Sequence, residues 1–124
     1  MHIKHLDTAN YVLAGDGSIL AELLHPGRES DISLQCSIAY CSIAPGQRTH
    51  RHRLLHSTEI YCIVSGSAVI TIEDETAEIS TGTIVHIPPG AWQSVANFNT
   101  EPLLFYCIVD PAWRAEDEEI LELE

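Results

Sequence analysis

The chain has 124 residues, 45% of them hydrophobic, which is the size and composition of one domain with a real core. Its net charge of −12 repels phosphates and argues against a nucleic-acid partner. No apolar run reaches the roughly 18 residues of a membrane span, and Met1-His2-Ile3-Lys4-His5 carries no apolar leader, so no membrane and a cytoplasmic setting are expected.

In chain order, Asp16-Gly17-Ser18 ahead of Ile19-Leu20-Ala21-Glu22-Leu23-Leu24 reads as a short capped N-terminal helix stopped by Pro26-Gly27. Strand signals dominate from there. Leu34, Cys36, Ile38 and Tyr40 alternate with Ser33, Gln35, Ser37 and Ala39, the pattern of a strand with one buried face. The alternation fails at Cys41-Ser42-Ile43, where a bulge or a strand end is expected. Residues 60–64 are apolar on both parities, Gly66 breaks the run, and Ala68, Ile70 and Ile72 then alternate with Ser67, Val69 and Thr71. Glu73-Asp74-Glu75 reads as a turn, 77–79 as a short return strand and Gly82 as the next turn, with 84–87, 92–96 and 103–109 completing the set. About eight short strands divided by Gly and Pro turns imply a sandwich or a small barrel. The tail concentrates Glu116, Asp117, Glu118, Glu119, Glu122 and Glu124, and reads as a solvated helix end or frayed terminus.

Cys36, Cys41, Cys62 and Cys107 sit in β-like apolar runs without C-x-x-C spacing, so they are expected as reduced, small buried hydrophobes.

The polar residues cluster between positions 46 and 97. His50 and His52 are two apart on a predicted strand, so both rings leave the same face, and a first-row metal can take two nitrogens from one element. Arg48 shares their parity and reads as a residue near the barrel mouth that suits an anionic ligand. Arg51 and Arg53 point the other way. His56 falls four residues after His52 and reads as a loop residue at the mouth, six residues separate Glu59 from Gly66, and the two are open alternatives for a third ligand. Pro88-Pro89-Gly90 forces a tight turn, and Gln93 after it offers an amide oxygen, a neutral donor weaker than imidazole. His86 reads as a pocket or interface residue. The same residues also suit a polar lining that holds a small ligand by hydrogen bonds without metal.

Two signatures, Pro45-Gly46-x3-His50-x-His52 with Glu59-x6-Gly66, and Gly82-x5-Pro88-Pro89-Gly90-x2-Gln93-x3-Asn97, together resemble the cupin family. In that family two His and a Glu from the first motif meet a His from the second on a metal inside a β-barrel. Here the gap from His52 to Glu59 is longer than usual, and Gln93 stands where the last His is expected. His52-Arg53-Leu54, Ile87-Pro88-Pro89-Gly90-Ala91-Trp92-Gln93 and Cys107-Ile108-Val109-Asp110-Pro111-Ala112-Trp113-Arg114 are further similar to small cupins labelled mannose-6-phosphate isomerase-like. The resemblance implies an all-β, double-stranded β-helix (jelly-roll) barrel over residues 1–124, with a core at 30–110 and an acidic tail at 111–124. It implies a centre of His50, His52, Glu59 and Gln93 for a divalent ion (manganese, iron, nickel or zinc), with His50 the least typical member. His56 or Tyr61 would give acid–base help to an isomerase or dioxygenase acting on a small polar or sugar-like molecule. The alternative is a non-catalytic binding or sensing barrel without metal. A homodimer through the apolar strand 103–109, with Trp113 packing across, is also expected.

Overall fold

A computed structural model describes residues 1–121. Its regular elements are eleven strands, β1 (Val12–Leu13), β2 (Ile19–Leu24), β3 (Ser37–Ile43), β4 (Arg51–Leu54), β5 (Thr58–Ser65), β6 (Ser67–Ile72), β7 (Glu75–Ser80), β8 (Ile84–Ile87), β9 (Gln93–Ala96), β10 (Leu103–Asp110) and β11 (Glu118–Leu121), with single 3-10 turns at Leu6–Thr8 and Ala115–Asp117. They form two antiparallel sheets, ordered β1-β2-β3-β10-β5-β8 and β11-β4-β9-β6-β7. Among the described residues no helix is long and apolar enough to cross a membrane.

Inward residues of both sheets make one core, with Ile63, Leu103 and Phe105 from the first sheet against Ile70, Ile79 and Val95 from the second. The register sets a gradient along the interior. Phe105 pairs with Ile63, Cys107 with Tyr61 and Val109 with Glu59, so moving back along β5 the inward side chains pass from apolar to polar. The apolar end fills the core, and Glu59, Tyr61 and Cys107 at the other end line a cavity. Gly66, between β5 and β6, closes the packed end. Its φ is +91°, and a Cβ there would collide with the Pro102 carbonyl oxygen, so only glycine lets the two segments approach this closely.

The expected helix over 19–24 is instead strand β2, paired with both β1 and β3. The turn before it is not a helix cap. Asp16 Oδ1 accepts from the Ser18 amide at 3.0 Å and the Ser18 hydroxyl at 2.7 Å, Gly17 takes φ +96°, and Ser18 O accepts from Ala14 N, which closes a hairpin. A six-residue apolar run is strand length, and no helical period overrides it.

The strand expected at 33–40 is Ser37–Ile43 and runs unbroken through Cys41-Ser42-Ile43. The register shifts lie instead in β2 between Glu22 and Leu24 and in β10 between Leu104 and Phe105. Parity is also inverted: Ser37, Ala39 and Cys41 face the cavity, while Tyr40 packs on Tyr106 of β10, ring centroids 4.9 Å apart.

The acidic tail is neither a helix end nor frayed through residue 121. β11 pairs with β4, Glu119 forms an ion pair with Arg53 at 2.6 Å, and Asp117 is buried. Glu122 and Glu124 lie outside the described residues. All four cysteines are free thiols, Cys41 and Cys107 buried and the other two half-buried.

Candidate functional site

The cavity has a volume of about 570 Å³ and is walled by both sheets and by the N-terminal segment. Its polar end joins His52 of β4, Glu59 and Tyr61 of β5, Cys107 of β10, Glu118 of β11 and Asp16 from the β1–β2 turn. Apolar walls come from Leu20, Phe105, Val109 and Trp113.

His52 is 2% exposed. Its Nδ1–H donates to the His50 carbonyl at 2.9 Å, which fixes the ring tautomer and leaves Nε2 toward the cavity. Nε2 stands 3.5 Å from Asp16 Oδ2 and makes no hydrogen bond among the described residues. Gln93 is the direct cross-strand partner of His52, yet it sits behind the cavity wall. Its amide nitrogen donates to Glu59 Oε1, and its oxygen accepts from the Tyr61 hydroxyl at 2.8 Å. Cys107 Sγ donates to Glu59 Oε2 at 3.0 Å, so both carboxyl oxygens of Glu59 are engaged.

The electrostatics of this end follow from burial. Desolvation raises the Glu59 carboxyl above its ordinary value, against the pull of His52 and the hydrogen bonds from Cys107 and Gln93. Burial and then the Glu59 charge hold the Tyr61 phenol well above its ordinary range, so it stays a donor. A hydrogen bond with the Cys41 thiol, then burial and Glu59, push the Cys107 thiol up, which makes it inert as a nucleophile. Glu118 is raised by burial and by the Asp16 and Glu59 charges, with His52 and Trp113 opposing.

Of the residues expected in a metal centre, the structure brings His52, Glu59 and Gln93 together and leaves His50 outside. His50 is exposed, and its backbone amide donates to the Asp16 carbonyl at 2.7 Å. The parity argument fails for it because β4 begins at Arg51, and residue 50 still belongs to the preceding loop. The Gln93 oxygen, the atom that would coordinate, is turned to Tyr61. Among the described residues no group of three or more His, Cys, Asp or Glu side chains is arranged to hold a metal ion. The expected four-residue donor set therefore does not fit a metal in this arrangement.

His56 is not a wall of the cavity; its ring is mostly exposed, and Nδ1 donates to Asp117 Oδ1 at 2.8 Å. Tyr61, the other acid–base candidate, is buried in the site. Arg48 is not at the mouth but bridges Ala96, and His86 is exposed on β8. The cationic residues at the mouth are Lys4 and Arg28, paired with Glu29 at 2.9 Å and Glu22 at 2.6 Å. Asp16 and Glu118 line the cavity and were missed by sequence reasoning. One was read as part of a helix start and the other as solvated tail, and only the pairing of β11 with β4 brings Glu118 to His52.

Residues 39–109, more than half of the chain, match the cupin domain model. The chain belongs to the cupin family. An uncharacterized protein of Methanocaldococcus jannaschii is 36% identical over 107 residues, covering 86% of this cupin and 84% of that protein. Among solved structures, a cupin 2 conserved barrel protein from Salinispora arenicola superposes with a TM-score of 0.76 at 25% identity, over 94% of this chain and 91% of that one. A Streptomyces nucleoside dehydratase reaches a TM-score of 0.78 at 15% identity, over 99% of this chain and 92% of that one, a likeness of fold. Asp16 and Glu118 both lie outside the matched 39–109 segment, on the β1–β2 turn and on β11.

Proposed function

We propose that this cupin binds a small polar, sugar-like molecule in the cavity and moves a proton on it, with His52 and Glu59 as the acid–base pair. The observation that carries the reading is the His52 ring: buried, locked through Nδ1, and open at Nε2 toward the cavity beside a carboxyl raised by burial. Two titratable groups placed in unlike environments around one cavity are the usual arrangement for proton transfer. Gln93 serves as a positioning residue. It holds Glu59 through one end of its amide and Tyr61 through the other. Isomerase chemistry on a sugar-like carbonyl is the reaction class in keeping with such a pair.

The test is exchange of a carbon-bound proton of small aldoses and ketoses in heavy water, followed by NMR. His52→Ala is expected to lower the exchange rate about 10²–10⁴-fold while the fold is retained. Binding without any exchange by the native protein would establish the second reading, a non-catalytic binding or sensing barrel. The metal-dependent reading keeps His52 and Glu59 but needs Gln93 turned over and His50 recruited. Elemental analysis of native protein that finds one manganese, iron, nickel or zinc per chain, lost in Gln93→Ala, would favour it instead.

We further infer a homodimer in a cytoplasmic setting, the latter in keeping with four free thiols. The outward face of the first sheet carries Ile60, Cys62 and Val64 of β5, Ile84 of β8 and Tyr106 and Ile108 of β10, with Val64 and Ile84 exposed. Trp113 is not part of that face; it packs on the core and lines the cavity. Light scattering is expected to give a dimer for the native protein and a monomer for Ile84→Asp. A native monomer would remove this part of the proposal.

A further inference from the structure

Three carboxylates line the same cavity as His52 Nε2. Asp16 Oδ2 is 3.5 Å from Nε2, Glu59 faces the same cavity, and Glu118 lines it from β11. Glu118 and the Asp16 turn are also neighbours, since a Cβ on Gly15 would lie 3.9 Å from Glu118 Oε1. No lysine or arginine forms an ion pair with Asp16, Glu59 or Glu118 among the described residues. The two cations at the mouth, Lys4 and Arg28, are already taken by Glu29 and Glu22. His52 is almost fully buried, and its Nε2 faces this acidic end of the cavity with Asp16 Oδ2 3.5 Å away, beyond hydrogen-bond geometry.

Resting on the proposed binding role of the cavity, we infer that Asp16 and Glu118 make this cupin selective for a small hydroxylated amine, bound as its ammonium ion between them and His52 Nε2. An ammonium group has three N–H donors and no acceptor. His52 Nε2, Asp16 and Glu118 are acceptors supplied by three different elements, β4, the β1–β2 turn and β11. A phosphate or carboxylate placed there would be set against the Asp16 and Glu118 carboxylates. A neutral hydroxyl would satisfy the hydrogen bonds without offsetting the charge, so the ammonium is favoured by the Coulomb attraction of a partly buried site. The cavity of about 570 Å³ leaves room beyond the ammonium for a ring or short chain against Phe105 and Trp113.

The experiment is NMR titration of the full chain with glucosamine, N-acetylglucosamine and glucose 6-phosphate, three probes of similar shape and different charge, and separately with manganese and zinc. Glucosamine is expected to bind at least tenfold more tightly than the other two. That preference is expected to disappear in Asp16→Asn and in Glu118→Gln, each isosteric, Asp16→Asn keeping the oxygen that Ser18 uses. Equal or tighter binding of the acetylated or phosphorylated sugar by the native protein would overturn the selectivity while leaving cavity binding intact. Failure of all three sugars to bind would overturn both. Tight binding of either metal, lost in the same two variants and without glucosamine binding, would reassign the carboxylates to a metal ion.

Discussion

Replacing Asp117 by alanine is expected to lower folding stability by roughly 2–4 kcal/mol at neutral pH, the cost of leaving two backbone amides without a partner in the interior. The Asp117 side chain is 1% exposed, and its two oxygens accept from His56 N at 2.9 Å, His56 Nδ1 at 2.8 Å and Ser57 N at 3.1 Å. These bonds fix the turn between β4 and β5, which carry His52 and Glu59 respectively, so the loss is felt at the site as well as in the fold. Burial opposes the ionised form of Asp117, but the His56 side chain and the Ser57 and His56 amides outweigh it and hold the carboxyl below its ordinary value. A carboxyl lowered on folding contributes stability that is complete above its unfolded value, near pH 4, and fades as the pH falls through the native value. Urea midpoints of native protein and Asp117→Ala should therefore be far apart at pH 7 and converge in acid. His56→Ala, which removes only a mostly exposed ring, should cost less than 1 kcal/mol. A loss in Asp117→Ala below about 0.5 kcal/mol, or one that does not change with pH, would show that Asp117 does not anchor the turn.

The barrel was legible in the sequence because its motif turns are local. Gly66, Gly82 and Pro88-Pro89-Gly90 each set a chain reversal by their own backbone limits, and the strands between them alternate. β3 was misread in register and parity because the wall of a cavity is not a core. Ser37, Ala39 and Cys41 are small so that space remains in front of them, and the larger Ile38 and Tyr40 lie on the outward face. A rule that sends large apolar residues inward inverts such a strand. His52, Glu59 and Gln93 could be picked out by motif spacing, since each sits on a strand whose register the motif glycines fix. His50 could not be judged, because whether β4 begins at residue 50 or 51 depends on the hydrogen bond its amide makes to Asp16. Asp16, Asp117 and Glu118 owe their places to long-range pairing of the termini with the barrel, and nothing in their local sequence distinguishes a buried acid from a solvated one.

Glu59→Gln is expected to raise stability and remove proton transfer at once. The substitution keeps the shape of the side chain and an oxygen for the Gln93 amide, while the new amide nitrogen replaces the oxygen that accepts from the Cys107 thiol, so one weak hydrogen bond is reversed with the sulfur as acceptor. What disappears is a carboxyl that burial raises above its ordinary value. Because the native state holds that proton more tightly than the unfolded chain, native stability is highest below the unfolded carboxyl value and declines as the pH rises through the raised native value. The glutamine variant has no such decline. Its advantage should be absent in acid and grow toward neutral and alkaline pH, reaching about 0.5–2 kcal/mol, the usual gain when a functional group held at a cost is removed. Over the same range the proton exchange assigned to the cavity should fall about 10²–10⁴-fold, as expected on loss of a general acid–base group. Ligand binding should fall much less, because Asp16, Glu118 and His52 remain in place. Thermal melts across a pH series, run beside the exchange assay, separate these effects. A variant less stable than the native protein at every pH would mean that the Glu59 charge holds the barrel together, and the acid–base assignment built on its burial would fall with it.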